Sequence, residues 1–507
     1  MRILHFLFIL SLTLAAQVVH RFSFNRFAHY GPDDWVTFAN ADYVTSIDMG
    51  QDEIYFATRD GGIWRYHLYD QKWQTPFTTS TGLRSNNIRR IVYDPDSNQL
   101  FAFSEAGTDV YNSGFGYWTP AAPGEAPAPH TPRNTGNSDP YARPDLAVLN
   151  SLFVKGGYTL FQDGRLLDNN NYAYRITDRL VDYQRTLWLG TDGAGIGRVH
   201  LVTDELRFER RGPSFNTIRD IYRDARGALW LAGTTDDTRK ASVVRYHPGR
   251  DSWRYYYSGV TLSITSSHIY AVDGNSRSIF FGGDRGLFAY DKRQKSWRHF
   301  SKAPLNDDAV KDLQAVTQGV FVATTNGLFF RKNGAPHARI IGRKQLFQRP
   351  VNKLYHDGGF LYIATDQGLY RYNIQTDSLR YIPEASTVST NFSTALTVRS
   401  DTLWFASRFG VGLYALNTDS WRSFSFQDLN FFPHVYDMTL LDDNLWLATD
   451  QGLLKYDTYR DYWYLYTTED GLPDNRVYHV QADEAYLWLG TGHGLVHFKW
   501  YDENRDE

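Results

Sequence analysis

The sequence predicts an all-β chain, a β-propeller of about eleven four-stranded blades arranged as two discs. Three observations carry this. First, Leu361-Tyr362-Ile363-Ala364-Thr365-Asp366-Gln367-Gly368-Leu369 returns as Leu445-Trp446-Leu447-Ala448-Thr449-Asp450-Gln451-Gly452-Leu453, and again as Leu487-Trp488-Leu489-Gly490-Thr491-Gly492-His493-Gly494-Leu495. A period of about 42 residues marks copies of one small unit. Second, the chain holds 35 Tyr, 32 Phe and 14 Trp against 3 Met and no Cys, and flat side chains suit pleated sheets packed face to face. Third, the chain's first strand pattern lacks a blade, while its last blade lacks a strand.

Taken in order, Met1-Arg2 is followed by an apolar stretch from Ile3 to Ala16 with small residues at its exit. This reads as a signal peptide over residues 1–16, too short to span a bilayer comfortably. Blades are expected over 23–118 and 146–507, separated by a Pro-rich linker or insertion over 119–145 that breaks the period. In the copy from Val435 to Tyr466, Val435 to Leu441 is a first strand and Leu445 to Thr449 an apolar second. Asp450-Gln451-Gly452 is a hairpin in which Gly supplies the positive φ, and two more strands follow. Second strands begin at Ile54, Leu100, Leu187, Leu229, Ile279, Val320, Leu361, Leu403, Leu445 and Leu487; Tyr158 to Gly164 reads as a degenerate eleventh copy. Small residues at the fourth position (Ala364, Ala448, Gly490) admit the adjoining sheet. Trp253 with Tyr256, Trp297 with Phe300 and Trp421 with Phe424 read as inter-blade packing. After Phe498 no fourth strand follows, whereas Trp35-Val36-Thr37-Phe38 has its pattern without preceding strands. That strand is expected to complete the final blade and remove an open edge. One disc then holds both ends of the chain, and the other lies within its sequence.

The run Gly471-Leu472-Pro473-Asp474-Asn475-Arg476-Val477, with Asp483 and Leu487 to Thr491, closely resembles the two-component regulator propeller repeat. Gly82 to Ile88 with Asp94 keeps much of it, as do Asn216, Ile218, Ile221, Asp224, Gly227, Leu229 and Trp230. The resemblance implies the sensing half of a hybrid kinase, many of which respond to oligosaccharides. The sequence has no immunoglobulin-like connector, membrane helix or kinase region, so intrinsic kinase output is not expected. Trp35 to Trp64 also looks like the opening of the double-propeller subunit of the type IX secretion attachment complex, here without that subunit's sorting domain.

The net charge of −3 and the lack of a basic run argue against nucleic acid as a partner. No His pair or Cys cluster suggests a metal, and no cofactor motif is present. Asp224 to Trp230 superficially approaches a sialidase Asp-box but reads as a turn before a strand. Thr191-Asp192-Gly193-Ala194-Gly195 leads into a strand, not the helix N-terminus a phosphate loop needs. His268, His356, His434, His479 and His493 read as ordinary loop or strand residues, although a lyase would draw on such a His with a Tyr.

Loops entering first strands and turns between second and third strands emerge on the same face of a blade. The candidate ligand rim is therefore Asn86, Asn87, Asn216, His268, Asp366, Gln367, Asp450, Gln451, Asn475, Arg476 and His493. The expectation is an exported recognition propeller of the bacterial periplasm or cell surface, not an enzyme, binding a glycan or envelope protein through this rim. The alternatives are a polysaccharide lyase or hydrolase on the same scaffold, or a scaffold subunit of an envelope complex.

Overall fold

A computed structural model describes residues 22–23, 30–31, 33–114, 116–127, 153–200, 203–237, 239–257, 264, 266–300, 305, 308–383 and 388–503. The expected signal peptide and residues 128–145 of the expected linker lie outside this set. Among the described residues, ten sheets follow one another, lettered blades A to J here; eight have four antiparallel strands, blade I gains Phe22–Ser23 as a parallel fifth, and blade C is wider. They occupy residues 44–77, 88–120, 173–209, 217–256, 269–300, 310–341, 351–382, 393–425, 435–466 and, for J, 477–499 with strand Trp35–Phe38. No helix of the described residues is long and apolar enough to cross a membrane.

Blades D to J form a closed ring, each first strand packing against the next and that of J against that of D. The closure is the one expected from the sequence. Trp35–Phe38 runs antiparallel to Gly494–Lys499, pairing Trp35 with Phe498 and Phe38 with Leu495. The Trp35 indole is buried and stacks on Phe498, centroids 3.5 Å apart. Blades A, B and C form a second body inserted in sequence between the closing strand and blade D, with A packed between C and B.

Tyr158 to Gly164 does not start a blade. Tyr158–Leu160 and Arg165–Asp168 make a hairpin that pairs with the early part of Ala173–Val181, widening blade C to seven strands together with Phe153–Val154. The hairpin's two strands are short and carry exposed positions, so they lack the run of buried residues that a blade's second strand needs.

The core lies between sheets. Trp230, Ala232 and Val243 of blade D pack with Ile269, Phe281 and Phe288 of blade E. The fourth-strand tryptophans belong to this packing, Trp253 of blade D meeting Phe38 of blade J at 5.9 Å and Trp297 of blade E meeting Tyr256 of blade D at 5.2 Å. Close approach explains the small fourth-position residue in blade J: a Cβ on Gly490 would lie 2.8 Å from the Ile218 carbonyl oxygen of blade D.

Candidate functional site: the ring channel and the cavity between the bodies

Each first strand of the ring carries a one-residue bulge, and the residue after it, where charged, lines the axis. That position holds Asp220, Ala271, Asp312, Lys353, Ala395, Asp437 and His479 in blades D to J. Lys353 Nζ lies 2.9 Å from Asp437 and 3.5 Å from Asp312. His479 Nδ1 lies 2.8 Å from both Asp220 and Asp437. Burial opposes charge on His479, but Asp437 and Asp220 overcome it and hold its pKa up at about 9. Burial also opposes charge on Asp437, yet Lys353 and His479 hold it well below the usual carboxylate range. Burial dominates at Asp312, raising it to about 6 in spite of Lys353, and at Asp273, raised to about 7. The axis is thus plugged by a chain of ion pairs. A His locked as imidazolium between two carboxylates is not a general base at neutral pH.

At several blades the entry loop and the second-to-third-strand turn meet. Asp366 accepts from Asn352 at 2.7 Å, and Asp450 accepts from the His434 amide at 2.7 Å. His493 and Arg476 both meet Asp474, at 2.7 and 2.8 Å. Asn475 accepts from the Thr468 amide, Gln451 donates to the Phe432 carbonyl and His268 meets Asp236. The Gln367 amide is bound by Thr365 while its side chain is exposed. Asn216 stands at the J–D seam, where its carbonyl receives the Gly494 amide. These nine residues share the ring. Asn86, bonded to Thr79, and exposed Asn87 stand between blades A and B of the other body.

A cavity of about 240 Å³ opens where the two bodies meet. Its walls are the second-to-third-strand turns of blades A (Arg59, Asp60), C (Asp192, Gly193) and D (Asp237, Arg239, Lys240), with Tyr174 and the segment Asn40 to Tyr43. The two stretches that pass between the bodies hold each other. The Ala41 amide donates to the Arg211 carbonyl, and Asn40 Nδ2 to the Pro213 carbonyl. Gly212 adopts φ 72°, and a Cβ there would strike the Ala39 carbonyl oxygen, so this crossing demands glycine. Asp42 is only 4% exposed. Its Oδ2 accepts from Arg210 at 3.1 Å and from Asn40 at 3.2 Å. Its Oδ1 is buried with no hydrogen-bond partner among the described residues. Burial opposes the Arg210 charge, and Asp42 outweighs it. Arg59 lies over the Tyr43 ring, and Arg239 pairs with Asp237.

Asp42, Arg59, Asp60 and Lys240 escaped the sequence reading because one lies on the segment before blade A and the others on the turns of two separate blades. The Asp192-Gly193 turn, set aside as a phosphate loop, forms one wall. The axial charges carried a legible signal, since aligned copies place Asp, Lys or His at one position in five of the seven ring blades and Ala in the other two.

No protein-family model matches the chain, and no curated protein matches it in sequence. Among solved structures, PorZ, a surface component of the type IX secretion system of Porphyromonas gingivalis, is 13% identical. The match covers 92% of this chain and 87% of that one, with a TM-score of 0.58. The chain shares the fold of PorZ. The extracellular domain of the two-component system BT4673 from B. thetaiotaomicron is 16% identical over 91% of this chain and 70% of its own, with a TM-score of 0.48. Virginiamycin B lyase from Staphylococcus aureus, 11% identical, covers 56% of this chain and 94% of its own at 0.45. The two families that the repeats resemble are thus both represented among the structural neighbours.

Proposed function

We propose that the protein is an exported, non-catalytic recognition propeller that holds a hydroxyl-bearing glycan unit in the cavity between its bodies. The carrying observation is the cavity of about 240 Å³ itself, lined by Asn40, Arg59, Asp60, Tyr174, Asp192 and Lys240. Its carboxylates offer acceptors, and its amide and cationic side chains offer donors, to the hydroxyls of a sugar. The volume suits roughly one sugar residue. The rim residues named from the sequence spend much of their bonding capacity inside their own turns, which favours the cavity over the rim as the primary contact.

The chemistry supports binding without turnover. A tyrosine base needs a lowered pKa, whereas burial raises that of Tyr174. Among the described residues no histidine lines the cavity.

Thermal unfolding with cell-envelope polysaccharides and their monosaccharides tests this. Ligand at a hundred times its Kd adds about 2.7 kcal/mol. The shift is expected to weaken in Asp60→Asn and in Lys240→Gln, which leave the Arg210 ion pair intact. No shift with any glycan, or release of unsaturated or reducing sugars, overturns the reading.

A further inference from the structure

The face of the ring that bears the rim turns is chemically lopsided. Around it, exposed aromatic side chains stand against the turns of four successive blades. Phe347 precedes Gln348, whose amide bonds to Asn326 in the blade F turn. Tyr381 covers Gly368 at the blade G turn, and the Phe392 amide bonds to Asp366 of that same turn. Phe409 is itself in the blade H turn, and the Phe432 carbonyl receives Gln451 from the blade I turn. These five rings are 38% to 62% exposed. The turns of blades D, E and J carry no exposed large aromatic among the described residues.

Two features mark the arc as more than chance exposure. Phe392 sits at φ 56°, and it is the one apolar residue among the described non-glycine residues with positive φ. A bulky residue in that region is strained, and strain of this kind collects where a side chain must be presented. The Arg408 guanidinium lies over both Phe392 and Phe409, at 4.3 and 4.7 Å from the ring centroids. Exposed Arg343 and Lys344 add charge beside Phe347, and exposed Asp428 follows Phe426, whose amide bonds to the Phe409 carbonyl. On the far side of the face, exposed Asp236, Asp284 and Glu469 are interspersed with exposed Arg239, Arg285 and Arg476.

We propose that this arc docks the protein on an anionic lipid surface. The rings stand against successive turns on one side of a disc, a row that a deformable headgroup layer accommodates. Aromatic side chains enter the headgroup region, and each neighbouring cation adds attraction to acidic lipid. The far side carries acids and bases together and no such row of rings, so the disc meets the surface tilted.

The test is co-sedimentation of the whole protein with vesicles of phosphatidylethanolamine and phosphatidylglycerol, against vesicles of phosphatidylcholine. Binding to the anionic vesicles is expected to fall about tenfold or more in Phe409→Ser/Phe432→Ser and in Arg343→Gln/Lys344→Gln/Arg408→Gln. Salt sensitivity should survive only in the first variant. An unchanged near-ultraviolet dichroism spectrum certifies that each variant is folded. No binding by the wild type, equal binding by folded variants, or displacement from vesicles by soluble polyglutamate overturns the proposal; the last result points to an acidic polypeptide partner instead.

Discussion

At the scale of single residues, a carboxylate closing a turn ahead of a tryptophan recurs as a fastening. Asp224 accepts from the amides of Arg226 and Ala228 and from Trp230 Nε1 at 2.9, 3.1 and 3.1 Å. Asp182 does the same for Gln184, Thr186 and Trp188, and Asp483 reaches Trp488. Burial pushes the Asp224 pKa up, but the donors outweigh it and leave it below the ordinary value. A depressed pKa contributes stability above the unfolded carboxylate range that is lost as pH falls through the folded value. Asp224→Ala is expected to cost about 2 kcal/mol at neutral pH, by stranding the buried indole N–H, and to narrow its deficit in acid. Urea melts at neutral and acidic pH measure both. Much at this scale was legible. The Asp-box resemblance at Asp224 was rightly read as turn chemistry, because the spacing between Asp and Trp fits one chain closing on itself. The cavity was not legible: its walls come from the turns of blades A, C and D and the segment Asn40 to Tyr43, and no local pattern encodes that.

Among elements, the first strands decide the ring's electrostatics. His479 has a raised pKa, so its contribution is complete below about 6.5 and fades as pH rises through about 9. Titration would leave Asp437 and Asp220 facing a neutral ring, with Lys353 and Asp312 next in the chain of pairs. His479→Gln is expected to destabilise the protein by about 3 kcal/mol near pH 6, the cost of uncompensated buried charge. The gap to wild type should shrink towards about pH 10. Thermal midpoints across that range check it, and parallel curves sink it. The strands themselves were readable from period and alternation. The hairpin at Tyr158 was misread as a blade because a short apolar run before Asp163-Gly164 imitates a second strand. Only its neighbours reveal that it pairs with the early residues of Ala173–Val181.

For the whole molecule, closure and nesting are the dominant facts. Trp35 is packed against Phe498, Tyr466 and the backbone at Gly471, and it belongs to a cluster that reaches Trp446 and Trp500. Trp35→Ala removes a buried side chain at the seam, at a cost of about 3–5 kcal/mol. Because the seam is an edge, the variant is expected to open there before it unfolds elsewhere. Hydrogen exchange should show early loss of protection in Gly494–Lys499, and uniform loss over all blades argues against a seam-first opening.

The closing strand also sets a timetable for assembly. It leaves the ribosome well before its partner Gly494–Lys499. Three blades of another body and nearly the whole ring must arrive while Trp35 waits with an unpaired edge. Non-local pairing of this kind is slow and leaves intermediates exposed to aggregation. A cell making this protein therefore has reason to shield that earlier segment until its partner strand has been made.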